Sequence, residues 1–231
     1  FGWKLYIFGG HNESNTLDDL YSYDPVTNEW QELANVGVGH AARAHPGMAA
    51  INDRLYVYGG WDGVTTNPDE LLIYYIESGL WDITEPSSGD IPSNGSDYGR
   101  LVTIENQLFF AGDTDADDLF EFFTLDSLGI DWEIPSLLGS PPPYLVYDTM
   151  TKLNNQIFFF GGYDFDGPSF SNDLHFIDLD LGIIAEVLAN GEAPSARYGH
   201  SAMALDNGLL VFGGRGESDT SFHQDMYVYF P

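Results

Sequence analysis

The chain has 231 residues, 43% of them hydrophobic and 15% aromatic, which suffices for a substantial core and excludes a disordered acidic tail. With 36 acidic against 7 basic residues the formal net charge is −29; this argues against nucleic acid, whose phosphates need a cationic surface, and against anionic membranes. There is no cysteine, so disulfides, thiolate metal sites and cysteine nucleophiles are excluded, and no apolar run approaches the roughly 20 residues that span a bilayer.

In chain order, apolar runs of strand length end at glycine doublets. Run 5–8 precedes Gly9-Gly10, run 55–58 precedes Gly59-Gly60, run 108–110 precedes the degenerate Ala111-Gly112, run 157–160 precedes Gly161-Gly162, and run 209–212 precedes Gly213-Gly214. The second glycine recurs every 50 to 52 residues, and self-similarity at that period marks a repeat architecture. A second strand-like segment follows each doublet, at 20–23, 71–75, 119–123, 174–177 and 226–229. Asp19, Glu70, Asp118, Asp173 and Asp225 stand directly before these segments and read as turn residues that cap loop backbone. Trp30, Trp81 and Trp132 fall 20 or 21 residues after a doublet, where the fourth repeat carries Gly182-Ile183. Arg43 and Arg197 each precede a small-residue strand.

This combination resembles the kelch family. Its blades run from a strand A often opening Arg-x-x-His, through a strand B ending in Gly-Gly and a strand C with Tyr, to a strand D with Trp. Arg197-Tyr-Gly-His200 through Gly214 matches that order, and Tyr23-Asp24-Pro25 followed by Thr27-Asn-Glu-Trp30 matches the passage from C to D. The resemblance covers essentially the whole chain. It implies an all-β, kelch-type β-propeller with about five four-stranded blades, the terminal two incomplete: a single domain over 1–231 with repeats at approximately 1–36, 37–91, 92–139, 140–191 and 192–231. The first repeat starts at strand B and the last stops after strand C, which gives 18 expected strands. Either five blades close with a loosened seam or the chain is a fragment of a longer propeller, and the family's usual six or seven blades favour the second. In such a fold strand B is covered on both faces and reads as a continuous apolar run. Glycine at its end permits positive φ or close backbone approach. The tryptophan fills the widening wedge between blades.

Acidic residues gather in the loops joining strands B and C, at 11–19, 61–70, 113–118, 163–173 and 215–225, which in a propeller emerge on one face. Loops on a rigid scaffold are where binding concentrates, and in kelch proteins that face commonly holds the partner. The residues just after the doublets, His11, Trp61, Asp113, Tyr163 and Arg215, form the expected contact ring, because Trp, Tyr and Arg dominate interface energetics. The family's contacts near the start of strand A add Arg43, Tyr98, Tyr144 and Arg197; for the two arginines the competing reading is that they brace neighbouring loops. Asp113, Asp115 and Asp117 alternate as the start of a calcium loop would, which makes Ca2+ the one cofactor to weigh. Asp118 stands where that loop needs glycine and Thr124 where it needs glutamate, so a solvated turn is the leading reading there.

His200 occupies the family's strand-A position and reads as structural. No His-Glu-x-x-His, Gly-x-Ser-x-Gly, phosphate loop or dinucleotide fingerprint is present, and no catalytic residue stands out. Plant specifier proteins, which are kelch propellers, hold iron with an acid-x3-Asp-x3-His triad. Here that run is Arg215, Asp219 and His223, and a cation cannot ligate iron. Galactose oxidase, another kelch propeller, needs a cysteine-modified tyrosine. The expected function is therefore a non-enzymatic protein-interaction scaffold that takes a basic segment on its acidic B-to-C face. The alternatives are a secreted or surface propeller that binds a glycan, with Trp61 and Tyr163 stacking on sugar faces, and a metal-dependent enzyme. The cysteine-free, lysine-poor composition leans to an extracytoplasmic setting. Asn12-Glu-Ser14 and Asn94-Gly-Ser96 match the glycosylation pattern, a triplet common by chance.

Overall fold

The computed structural model describes residues 3–64, 69–84, 88–89, 97–112, 120–126, 131–164, 167, 169–216 and 222–231, and all regular structure among them is β. Blade 1 contains β1 (Leu5–Phe8), β2 (Leu20–Asp24) and β3 (Glu29–Leu33). Blade 2 contains the short β4 (Val36–Gly37), then β5 (Gly47–Ile51), β6 (Arg54–Tyr58), β7 (Leu71–Tyr75) and β8 (Leu80–Thr84). Blade 3 repeats this with β9 (Ser88–Gly89), β10 (Arg100–Ile104), β11 (Gln107–Gly112), β12 (Glu121–Asp126) and β13 (Asp131–Glu133). Blade 4 has β14 (Thr149–Leu153), β15 (Gln156–Phe160), a loop hairpin of β16 (Tyr163–Asp164) and β17 (Ser169–Phe170), then β18 (Leu174–Asp178) and β19 (Ile183–Glu186). Blade 5 has β20 (Ser201–Leu205), β21 (Gly208–Phe212) and β22 (Met226–Tyr229). Without β4, β9, β16 and β17 these are the 18 expected strands, and the first and last blades hold three each.

The chain groups into two compact units, Phe1–Ala116 with Phe122–Ile134, and Asp117–Glu121 with Pro135–Pro231. Each unit is cored by the faces of successive blades. In the first, Phe8 and Leu20 of blade 1 meet Leu55, Val57, Leu72 and Trp81 of blade 2, and Tyr56, Tyr58 and Leu71 of blade 2 meet Phe110, Phe123 and Trp132 of blade 3. In the second, Phe158, Phe160 and Leu174 of blade 4 meet Leu209 and Val211 of blade 5.

Trp81 and Trp132 fill the wedge against the blade before them. Trp81 is 4% exposed and lies 5.3 Å from the Phe8 ring; Trp132 is 1% exposed and lies 5.0 Å from the Tyr58 ring. Trp30 of blade 1 packs on its strand neighbour Tyr23, at 5.0 Å, and stays 54% exposed. In blade 4 the register pairs Ile177 with Ile184, as it pairs Tyr74 with Trp81 in blade 2, so the buried Ile184 takes the tryptophan's place.

The doublets need glycine for a specific reason. Gly9 and Gly161 have φ of 63° and 68°, and a Cβ on either would stand 2.5 or 2.6 Å from the carbonyl oxygen of Arg43 or Arg197 in the next blade. The second glycine of each pair then donates its N–H to that same carbonyl, Gly10 to Arg43 at 2.8 Å and Gly162 to Arg197 at 2.9 Å. The strand end is thereby tied to the loop that opens the following blade.

Candidate binding surface at the B-to-C loops

Arg43 and Arg197 are both fully buried, and each is claimed by its own blade. Arg43 donates from Nη1 to the carbonyls of Gly59 (3.1 Å) and Glu70 (3.3 Å), and pairs through Nη2 with the Glu70 carboxylate at 2.8 Å. Burial draws its guanidinium below the usual arginine value while Glu70 opposes the shift. Arg197 donates to the Gly213 carbonyl at 2.9 Å, to the Ser195 carbonyl at 3.0 Å, and bidentately to Asp225 at 2.6 and 3.0 Å. Those hydrogen bonds hold the Asp225 carboxyl below the usual carboxylate range. The acid before strand C is thus the counter-charge of a buried arginine in blades 2 and 5, rather than a cap of its own loop.

Blade 4 shows the other arrangement. The bridge of Val146 to Tyr163 matches those of Ala44 to Trp61 and Tyr198 to Arg215, so Leu145 stands where blades 2 and 5 have arginine. With no guanidinium to meet, Asp173 accepts the Ser171 hydroxyl at 3.0 Å and donates its own N–H back to that oxygen at 2.9 Å.

The same bridges fix the residues after the doublets. His11 pairs with Thr16, Trp61 with Ala44, Tyr163 with Val146 and Arg215 with Tyr198. Asp113, together with Asp115 and Asp117 of the calcium candidate, lies outside the described residues. In the first unit the His11 ring meets His45 edge-on at 5.2 Å, and His45 stacks on Tyr98 at 4.5 Å with Nδ1 3.4 Å from the Asp97 carboxylate. Arg100 donates to the Tyr98 carbonyl. Trp61 stands on this unit's B-to-C loop with about a third of its surface exposed.

In the second unit the loop residues form an aromatic cluster. Tyr163 lies 5.1 Å from Phe170 and 5.6 Å from Tyr198, and Phe170 stacks on Tyr198 at 5.5 Å and 27°. Tyr147 joins Tyr198 at 5.9 Å. The Arg215 guanidinium sits over the rings of Tyr198 (5.9 Å) and Phe222 (5.7 Å), and Phe222 is 68% exposed. Tyr144 stands outside this cluster and packs edge-on against Phe120 at 5.2 Å. The expected residues Tyr163 and Arg215 are therefore joined through Tyr198, which with Phe170, Tyr147 and Phe222 was not anticipated from the sequence. The available signal was positional, since Tyr198 directly follows the blade's arginine.

His200 anchors the floor of this region. It is 6% exposed, shares a 3.0 Å hydrogen bond between Nε2 and the Thr149 hydroxyl, and packs edge-on to Phe160. Burial, then the nearby Arg197 charge, pushes its imidazole down to about 4.

Repeated four-stranded sheets, glycine-doublet turns and wedge tryptophans define a kelch-type β-propeller. The model of the KLHDC2/KLHL20/DRC7 Kelch-repeats domain matches residues 1–162 and 114–231, and the chain belongs to the kelch-repeat family. Among its relatives, a leucine-zipper-like transcriptional regulator 1 homolog of Drosophila melanogaster is 28% identical over 97% of this chain and 24% of its own length. Acyl-CoA-binding domain-containing protein 4 of Arabidopsis thaliana is 29% identical over 94% of this chain and 32% of its own length. An N-(sulfonatooxy)prop-2-enimidothioate sulfolyase of Thlaspi arvense is 27% identical over 96% of this chain and 55% of its own length. The chain thus spans about half or less of these curated relatives.

Proposed function

We propose that this chain is a non-enzymatic protein-interaction scaffold, and that a basic segment of the partner docks on the B-to-C loops. The observation that carries this reading is the cluster of Tyr163, Phe170, Tyr198, Phe222 and Arg215, held by bridges to the strand-A loops. Aromatic and arginine side chains on rigid loops are the types that dominate interface energetics, because they offer large contact area at little ordering cost. The net charge of −29 favours a basic partner by speeding encounter and rejecting acidic competitors. The same repeats occur inside longer relatives of unlike names, a transcriptional regulator homolog and an acyl-CoA-binding domain-containing protein among them and a sulfolyase as well, so the reading rests on the loop surface rather than on the relatives. Arg197 serves this surface as a brace, since its guanidinium is held inside its own blade, as that of Arg43 is in the first unit.

Affinity capture with the 231-residue chain, beside a Tyr163→Ala/Arg215→Ala variant, tests the proposal. A stoichiometric protein retained by the wild type, lost in the variant and weakened steeply by salt is the expected result. No retained protein, or one held equally by the variant, refutes the assignment. A glycan-binding surface is the second reading, favoured by the stacked Phe170–Tyr198 pair beside Tyr163. Saturable, salt-insensitive sugar binding lost in the same variant would select it.

A further inference from the structure

Blades 2 and 5 hold a guanidinium in the same slot. In blade 2, Arg43 donates to the Gly59 carbonyl and pairs with Glu70; in blade 5, Arg197 donates to the Gly213 carbonyl and pairs with Asp225. Blade 4 keeps the acceptors and changes the donor. Gly161 follows Leu145 by 16 residues, as Gly59 follows Arg43 and Gly213 follows Arg197. Asp173 follows Leu145 by 28 residues, as Asp225 follows Arg197. The bridges of Ala44 to Trp61, Val146 to Tyr163 and Tyr198 to Arg215 fix this alignment in space.

Leu145, Gly161 and Asp173 line one cavity of about 10 Å³, which is room for one particle the size of a water molecule. The cavity therefore marks where the arginine head stands in the sister blades. Asp148, Ser171 and His175 join its lining. Asp148 is 9% exposed and follows Leu145 by three residues, the place that His200 holds after Arg197. These three positions carry arginine, a neutral histidine and aspartate in blade 5, which balance to zero charge. In blade 4 they carry leucine and two aspartates, a formal charge of −2. His175 brings no positive charge at neutral pH, because burial, opposed in part by Asp173 and Glu186, holds its imidazole below the ordinary value.

We propose that this slot of blade 4 binds one singly charged cation of a water molecule's size: a potassium or ammonium ion, or the ammonium of a lysine side chain. The same acceptors take a guanidinium in two other blades, and the change from blade 5 to blade 4 at these positions adds negative charge in a place shielded from water, where a cation is favoured most. Calcium takes six to eight oxygens and would need both carboxylates bidentate, whereas Asp173 already accepts the Ser171 hydroxyl. The site stands apart from the aromatic cluster proposed above as a docking surface, none of whose side chains line it. It therefore holds whether or not that surface takes a partner.

Thermal melts of the 231-residue protein test the proposal. Tetramethylammonium chloride, whose cation is too large for the cavity, is replaced stepwise by the chloride of potassium, ammonium, butylammonium or calcium. Constant ionic strength cancels the screening of the net charge of −29. Potassium and ammonium are expected to raise the melting temperature saturably, by about 3 °C or more. A matching rise with butylammonium supports a lysine side chain as the source, and its absence supports the free ion. Leu145→Arg, which returns the guanidinium in cis, should melt high without potassium and lose the dependence on it. Asp148→Asn should weaken the apparent potassium affinity by about tenfold or more. Equal melting in potassium and tetramethylammonium, the result if the cavity takes only water, overturns the proposal. A potassium rise that persists in both variants, or a rise confined to calcium, overturns it as well.

Discussion

Acidification from pH 7.5 to 5.0 is expected to cost the second unit about 2 kcal/mol through His200 alone. The buried imidazole is neutral in the fold, with its pKa pushed from an ordinary 6.5 to about 4 by burial and then by Arg197. Above pH 6.5 neither the folded nor the unfolded state holds the extra proton, so His200 carries no penalty. Below it the unfolded chain takes up the proton and the native state does not until about pH 4, so stability falls across that window and then levels. At about 1.4 kcal/mol per pH unit the full window is worth about 3 kcal/mol, of which about 2 has been lost by pH 5.0. Total stability is the wrong readout, because a net charge of −29 means that acid also relieves self-repulsion and works in the opposite direction. The difference between wild type and His200→Asn cancels that term, together with those of His40 and His175, whose imidazoles burial also pushes down. Guanidinium unfolding of both proteins at the two pH values measures it. The wild-type advantage should shrink by about 2 kcal/mol at pH 5.0, and parallel pH dependence of the two proteins would refute the burial argument.

Arg197→Leu should cost about 3 kcal/mol in denaturant unfolding, at the low end for a buried pair because Asp225 keeps partial solvent contact. Adding Asp225→Ser should restore more than half of that loss, as blade 4 already tolerates Leu145; no recovery would mean that the cost lies in packing. Trp81→Ala should cost about 3–5 kcal/mol and Trp30→Ala less than about 1, because Trp81 is buried and Trp30 is half exposed; equal losses would contradict the packing role of Trp81. Gly37→Ala should cost more than about 2 kcal/mol from a clash with the Trp81 carbonyl and a positive φ. Gly39→Ala, with open space and no such φ, should stay within about 0.5 kcal/mol, and thermal melts of the pair separate the two cases.

The blade strands were legible because burial on both faces writes continuous apolar runs such as 55–58 and 157–160, and because a turn pressed against a neighbouring carbonyl admits only glycine. The link strands β4 and β9 were not, since a pairing of two residues leaves no period to detect. Trp30 and Trp81 look alike in sequence, yet Trp81 is 4% exposed and Trp30 54%, a difference that pattern alone does not carry. The candidate surface was legible as positions after the doublets but not as a cluster, because Tyr198 and Arg215 meet across the blade.

Arg43 and Arg197 show why residue type alone misleads at such positions. Arginine at a loop junction suits a partner contact as well as a brace, and exposure decides between them. The deciding information is in the repeat as a whole rather than in the motif. An arginine that must sit beneath Gly59 or Gly213 needs a carboxylate within reach, and Glu70 and Asp225 provide it from the residue before strand C. Asp173 holds the same place in blade 4 without an arginine, so the acid by itself does not predict the pair. Only the coincidence of both charges in one repeat does, because an arginine buried without its carboxylate would leave an uncompensated charge in the blade.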